Sequence, residues 1–368
     1  MIELQFNNYS IFILIRCLSY SFRFYVKKMY PQYFLSPMIL LILMFLGESF
    51  SLFFYLYQYK YIKKEKKLYF ESKTKKNNYC HKIYFLFIIC FCSFADLIGS
   101  FNYQYIYSNS MKSISSKFKS FEFIVLCLSV CINECYTLNI QIYNHQILGL
   151  YLVISSLIIS FIININKNQN FQSFILIIII IIESKFILAM LYIIEKKLNY
   201  EYFININLLL FIEGIFGICI LLIYRIFYVF IFKFDNSFFI QIKNNKNNLE
   251  LFLIYFLYSI LSFIYNFCRL RITELTRPSY NIIGNLLCFF FDVIIESILM
   301  KKFLKMDIIT FIISLFGFLV YCEIIILKFC KLDENTIFKT KMRASKDFLS
   351  NQMGLSIQNC NSSQLFEF

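Results

Sequence analysis

Long apolar runs separated by short polar clusters dominate the chain. Nine of them stand out, at roughly 34–59, 83–107, 118–138, 147–165, 171–194, 204–232, 249–270, 282–300 and 308–327. Each has about the length, ~20 residues, that a helix needs to cross the hydrocarbon core of a bilayer. A weaker run over 9–26 carries Arg16 and Arg23. It lacks a basic leading segment and a small-residue cleavage site, so it reads as a span and not as a signal peptide. The pattern predicts an all-α, polytopic membrane protein of about ten transmembrane helices.

Inside several runs, polar residues recur every three, four or seven positions, which places them on one helix face. Ser93, Asp96, Ser100, Tyr103 and Tyr107 share a face of the third span. Tyr258, Ser262, Tyr265 and Arg269 share one of the eighth, and Asn281, Asn285, Cys288, Asp292 and Glu296 one of the ninth. Three polar stripes on separate helices are what a water-accessible central cavity requires. A buried Ser or Asn often only bonds to a neighbouring helix, contributing about 0.6 kcal/mol. An acid at a helix centre costs more, about 2.5–3.5 kcal/mol on insertion scales, and so must face a partner or a wet cavity. Glu48, Asp96, Glu183, Glu213, Asp292, Glu296 and Glu323 lie in or near spans. Glu296 and Glu323 sit towards span ends, where they can reach the interface. Glu183 and Lys185, two apart, do not face each other on a helix.

One polar motif occurs twice. The second span holds Phe45-Leu46-Gly47-Glu48-Ser49-Phe50, and the seventh holds Phe211-Ile212-Glu213-Gly214-Ile215-Phe216. The offset of five spans predicts two five-helix halves, over 1–165 and 166–330. An odd number of spans per half forces opposite orientations, the inverted-repeat plan of secondary transporters. The polar segment 331–368 is expected to be a disordered tail.

Charge adds a topology. The chain of 368 residues has 36 basic and 22 acidic side chains, a net charge of +14. Nine of the basic residues lie between Lys60 and Lys82, and six from Lys328 onward. Loops on the side of the termini hold 20 basic residues and those on the other side 13, with Arg269 counted among the former. The bias predicts cytosolic termini, which leaves the sequons at Asn8 and Asn361 unglycosylated. Nucleic-acid binding is excluded, because no soluble segment is long enough to form a reading domain. The composition is 59% hydrophobic and 16% charged, with a mean hydropathy of +0.64, too apolar for a solvated globule. Its Ile, Asn, Lys, Phe and Tyr bias and lack of Trp fit an AT-rich coding sequence, so the aromatic content carries little functional weight.

Chemistry of the enzymatic kind has no footing. Cys127, Cys131 and Cys135 repeat along one helix face, which is not the spacing of a zinc site. His81 and His145 lie near loop ends, outside any ligand-like cluster. No phosphate-binding loop, nucleophile elbow or metalloprotease signature occurs. No catalytic residue, metal site or cofactor is expected, and the expected partners are the lipid bilayer and a small solute. A homodimer is compatible with such a chain.

The residues resemble the drug/metabolite transporter superfamily, in particular solute carrier family 35, subfamily F, of the member-6 type. Met44-Phe45-Leu46-Gly47-Glu48 is similar to that group's Met-Phe-Leu-Gly-Glu, and Asp96 with Gly99 to its Asp-x-x-Gly. Glu195-Lys196 followed by Glu213-Gly214-Ile215-Phe216-Gly217 is similar to its Glu-Lys and Glu-Gly-Leu-Phe-Gly. Asn266-Phe267, Thr273, Glu274-Leu275 and Thr276-Arg277 are similar to its span 8–9 junction. The order holds over roughly 38–327. The resemblance implies ten helices in two inverted repeats, an endomembrane location such as Golgi, lysosome or vacuole, and a small polar or anionic solute, often a nucleotide sugar. It implies that Glu48, Glu213 and Arg277 line or brace the pathway. The family pattern has Asp four residues after Arg277 and Arg seven after it. Here these are Asn281 and Gly284.

The reading is a secondary transporter working by alternating access. Its expected binding residues are Glu48, Asp96, Tyr103, Glu213, Arg277, Asn281 and Asp292. The competing reading, a non-transporting receptor, scaffold or degenerate paralogue, draws on the missing arginine at 284.

Overall fold

A computed structural model describes residues 2–34, 36–60, 87–100, 119–137, 142–167, 171–202, 204–232, 248–300 and 305–326. Tyr103, Tyr107, the basic loop 61–82 and the segment 331–368 lie outside the described residues, as do the side chains of Asn8, Asp292 and Glu296. Among the described residues all regular structure is helical. In chain order, α1 is Ile2–Met29, α2 Pro37–Ser49, α3 Phe87–Ser100, α4 Lys119–Thr137 and α5 Asn144–Lys167. Then follow α6 Phe171–Tyr202, α7 Ile206–Phe232, α8 Asn248–Leu275, α9 Pro278–Met300 and α10 Lys305–Tyr321. A turn at Phe50 interrupts α2, and helix resumes over 51–60.

Five helices among the described residues are long and apolar enough to cross a membrane: Met38–Lys60, Asn144–Ile163, Ile175–Asn199, Ile206–Ile226 and Leu249–Leu275. The described parts of α3 and α10 are apolar but shorter, at Phe87–Ser100 and Ile309–Tyr321. Arg16 and Arg23 break the apolar character of α1, and Glu122 and Glu134 that of α4. The surface is inverted relative to a water-soluble bundle. Phe53, Phe87, Tyr136, Leu249 and Phe252 point outward. Arg16, Glu48, Asp96, Glu195, Glu213 and Arg269 are buried. A bilayer rewards that arrangement, since lipid solvates the apolar exterior and polar groups find partners inside.

Helix α5 packs along α10, α1 along α8 and α9, α4 along α6 and α9, and α2 along α7 and α8. One core cluster joins α4, α5, α9 and α10 through Ile124, Val130, Val153, Ile282 and Phe318. Another joins α3, α6, α7 and α8 through Ile89, Leu191, Leu209 and Leu270. The chain has only 8 Gly, and several lie at the tightest crossings. Gly149 of α5 and Gly317 of α10 lie back to back, so a Cβ on Gly149 would stand 2.6 Å from the Gly317 carbonyl oxygen and 2.6 Å from the Tyr321 nitrogen. Both obstacles are backbone and cannot rotate away. Gly149→Ala is therefore expected to cost about 1–3 kcal/mol, read as a lower melting temperature of the purified protein.

The repeated Gly/Glu motif has a packing reason at each occurrence. A Cβ on Gly47 would meet the Ser259 carbonyl oxygen of α8, and one on Gly214 would lie 2.8 Å from the Phe45 oxygen and Ser49 nitrogen of α2. The glycines let three backbones approach closely, and the neighbouring acids, Glu48 and Glu213, turn into the space between them.

Candidate functional site

The turn that breaks α2 falls two residues after Glu48. The Phe50 N–H donates to the Gly47 carbonyl. The Ser49 and Ser51 hydroxyls donate back to the carbonyls of Leu46 and Glu48. Such back-bonding competes with the helix ladder and bends it. The Glu48 side chain is buried, and its Oε1 accepts a short bond from the Asn266 amide of α8.

Arg269, one turn along α8 from Tyr265, is the centre of a charged cluster. Its Nη2 lies 2.8 Å from Glu195 Oε1 of α6 and 3.9 Å from Glu213 Oε2 of α7. Its Nη1 lies 3.6 Å from Asp96 Oδ2 of α3. Four helices thus deliver charges to one point, and α2 brings Glu48 beside them. Among the described residues, both Glu213 oxygens and Glu48 Oε2 have no hydrogen-bond partner.

Asp96 and Arg269 also form one wall of a cavity of about 190 Å³. The remaining walls come from α1, α2, α4, α6, α8 and α9, with Tyr20, Arg23, Glu122, Lys185, Tyr192 and Tyr265 among the lining side chains. The Arg23 guanidinium stacks over the rings of Tyr20, Tyr258 and Tyr265, and Lys185 Nζ pairs with Glu122 Oε2 at 3.1 Å. The cavity can bind a small solute with charged or hydrogen-bonding groups. Below about 300 Å³ it is smaller than the usual pocket for a drug-sized ligand.

A second arginine sits on the α1/α9 side. Arg16 is fully buried and donates from Nη1 to Asn281 O at 3.0 Å and Asn281 Oδ1 at 2.9 Å. From Nη2 it donates to the Tyr265 hydroxyl at 3.0 Å and Asn285 Oδ1 at 2.6 Å. A Cβ on Gly284 would come within 3.1 Å of Arg16 Nη1. The α1 guanidinium therefore stands directly beside position 284. The run that reads weakest in the sequence is a helix of the bundle, held there by this arginine.

The α8–α9 junction is clamped at both helix ends. Lys196 Nζ donates to the carbonyls of Thr273, Glu274 and Thr276, which end α8. The Ser279 N–H, at the start of α9, donates to Glu134 Oε1 at 2.6 Å. A cation at a helix C-terminus and an anion at an N-terminus both oppose the macrodipole. Pro278 opens α9, where its missing N–H is not needed. Lys196→Met leaves three carbonyls without a donor and is expected to destabilise by about 1–3 kcal/mol, read by thermal melting of the purified protein.

Of the expected binding residues, Glu48, Asp96 and Glu213 come together round Arg269, and Asn281 holds Arg16. Arg277 does not line this cavity. It lies in the short junction between the end of α8 at Leu275 and the start of α9 at Pro278. Tyr103 and the Asp292 side chain lie outside the described residues. Arg269, counted as a loop residue in the charge bias, is 2% exposed inside α8. Its signal was present in the Tyr258–Ser262–Tyr265–Arg269 stripe. Lys185, which has no partner in Glu183 on its own helix, pairs across to α4. Glu122 and Glu134 lie towards the two ends of their apolar run, where an acid ordinarily reaches water, and the structure buries both.

Comparison with protein-family models and with curated proteins finds no match for this chain.

Proposed function

We propose that the chain is a secondary membrane carrier of the drug/metabolite transporter type. It moves a small polar or anionic solute by alternating access between two inverted five-helix halves. The observation that carries this reading is the charged cavity, walled by α1–α4 from one half and α6, α8 and α9 from the other. The pairing of helices supports the repeat. Exchanging each helix with the one five later maps the α5–α10, α2–α7 and α4–α9 contacts onto themselves, and α4–α6 onto α1–α9. It also maps α1–α8 onto α3–α6, where Gly99 lies against Ser184. With two halves of five spans the termini share one side; the loop-charge bias supports the cytosolic side, and the resemblance supports an endomembrane.

The competing reading, a receptor or scaffold without flux, draws on internal pairing: Lys185 is neutralised by Glu122, and Arg269 by its acids. Purified protein in liposomes, screened for uptake and exchange against small metabolites and sugar nucleotides, separates the two. A carrier moves at least one solute, and that solute raises its melting temperature, by about 2.7 kcal/mol of added stability at a hundred times its Kd. Absence of flux for every solute, with stabilisation only by a protein partner, refutes the carrier.

A further inference from the structure

We infer that the cluster of Glu48, Asp96, Glu195 and Glu213 round Arg269 is a proton-binding site that is loaded at neutral pH. The carboxyl groups number four and the guanidinium is one. With every group ionised, the cluster carries three net negative charges in a water-poor interior. The helices packed against it offer little compensating charge. Helix α3 presents Cys92 and α8 Asn266; α6 presents Tyr192 and, across the cavity, Lys185, which is paired with Glu122 of α4; α1 presents Arg16, committed to α9 and Tyr265, and Arg23, which lies over the rings of Tyr20, Tyr258 and Tyr265. These supply no second cation at hydrogen-bond distance from the acids. A metal ion is a poor substitute: among the described residues, no three acid, histidine or cysteine side chains stand close enough to hold one. Protons remain.

The second observation is the state of the oxygens. Glu48 is 0% exposed and Glu213 2% exposed, yet both Glu213 oxygens and one Glu48 oxygen lack a donor among the described residues. An ionised carboxylate can only accept, so neighbouring carboxylates cannot satisfy one another. Adding a proton removes one of the uncompensated charges and turns an acceptor oxygen into an O–H donor. Proton and carboxylate combine to a carboxylic acid, and no other reactant is needed. Asp96 and Arg269 line both the cluster and the cavity, which gives protons a route in.

The coupling that follows rests on the carrier reading. An anionic solute that engages Arg269 from the cavity competes with Asp96, Glu195 and Glu213 for the one guanidinium. The carboxylate it displaces binds a proton, so anion and proton enter together.

The test uses the full chain in lipid nanodiscs with no solute. Infrared difference spectra at neutral pH are expected to show a protonated-carboxyl stretching band that shifts in D₂O and disappears on alkalinisation. Glu48→Gln, Asp96→Asn, Glu195→Gln and Glu213→Gln are made singly, and at least one should lose a clear part of the band. The same variant should fold with a melting temperature at or above wild type, because an amide mimics a protonated acid. A wild-type spectrum without the band overturns the inference, as does a band unchanged in all four variants. So does loss of folding in all four, which would mean that ionised carboxylates are required. The measurement does not depend on flux: a band that behaves as expected, with no transport in the liposome screen, leaves the proton site standing and removes the carrier.

Discussion

Arg269→Met is expected to abolish recovery of folded protein. Methionine keeps length and apolar volume, so the change isolates the charge. It removes the guanidinium from Asp96, Glu195 and Glu213 and leaves them with Glu48 in a buried site. Breaking a buried ion pair from one side costs about 3–5 kcal/mol, because the surviving charge is left uncompensated. That compares with a total stability of about 5–15 kcal/mol for a typical domain. Loss of the monodisperse peak in size-exclusion chromatography, or a collapsed melting temperature, reads the effect. The origin is checked by restoring neutrality. Arg269→Met combined with Glu195→Gln and Glu213→Gln should recover part of the loss, since only Glu48 and Asp96 are then left without the guanidinium. If the triple variant is no better than the single one, the arginine acts by packing on Tyr192, over whose ring it lies at 5.9 Å. Arg269→Lys should rescue only in part, since one ammonium cannot reach three helices as a planar fork does.

What the sequence made legible follows from the size of the burial penalty. Glu48, Asp96 and Glu213 announce themselves because an acid inside an apolar run has no cheap explanation. Their convergence was not legible: a helical period gives the face a residue occupies, but not which other face it meets. Arg269 shows the limit in the opposite sense. It stands on a polar stripe, yet one residue from the end of the 249–270 run it also reads as a loop cation, and only the partners from α3, α6 and α7 decide between the two. Glu134 and Lys196 were hidden by the same ambiguity at span ends. Their role, capping the facing ends of α8 and α9, depends on a tertiary contact with no local signature. The glycines were legible as a shortage, but not as specific pairs. Gly149 and Gly317 matter because α5 and α10 cross there, which neither helix encodes alone.

Arg16 offers the second large effect and a test of whether its cation can be supplied from position 284 instead. Arg16→Met removes donors from Asn281, Asn285 and Tyr265, and also the cation over the Tyr265 ring at 4.7 Å. Each buried group left without its partner costs about 1–3 kcal/mol, so the summed loss should be several kcal/mol and visible as a large drop in melting temperature. Gly284→Arg in the wild-type background should also destabilise, since the new side chain would start 3.1 Å from Arg16 Nη1 and place two guanidiniums in one site. The two changes together are the informative case. If the α1 arginine fills the place where the resembling transporters carry an arginine on the ninth span, the second substitution restores the cation that the first removes. The double variant should then be more stable than either single one, with a coupling energy of about 1–3 kcal/mol in the double-mutant cycle. Additive losses would mean that Arg16 is a structural tether for α1, unrelated to a cation at position 284.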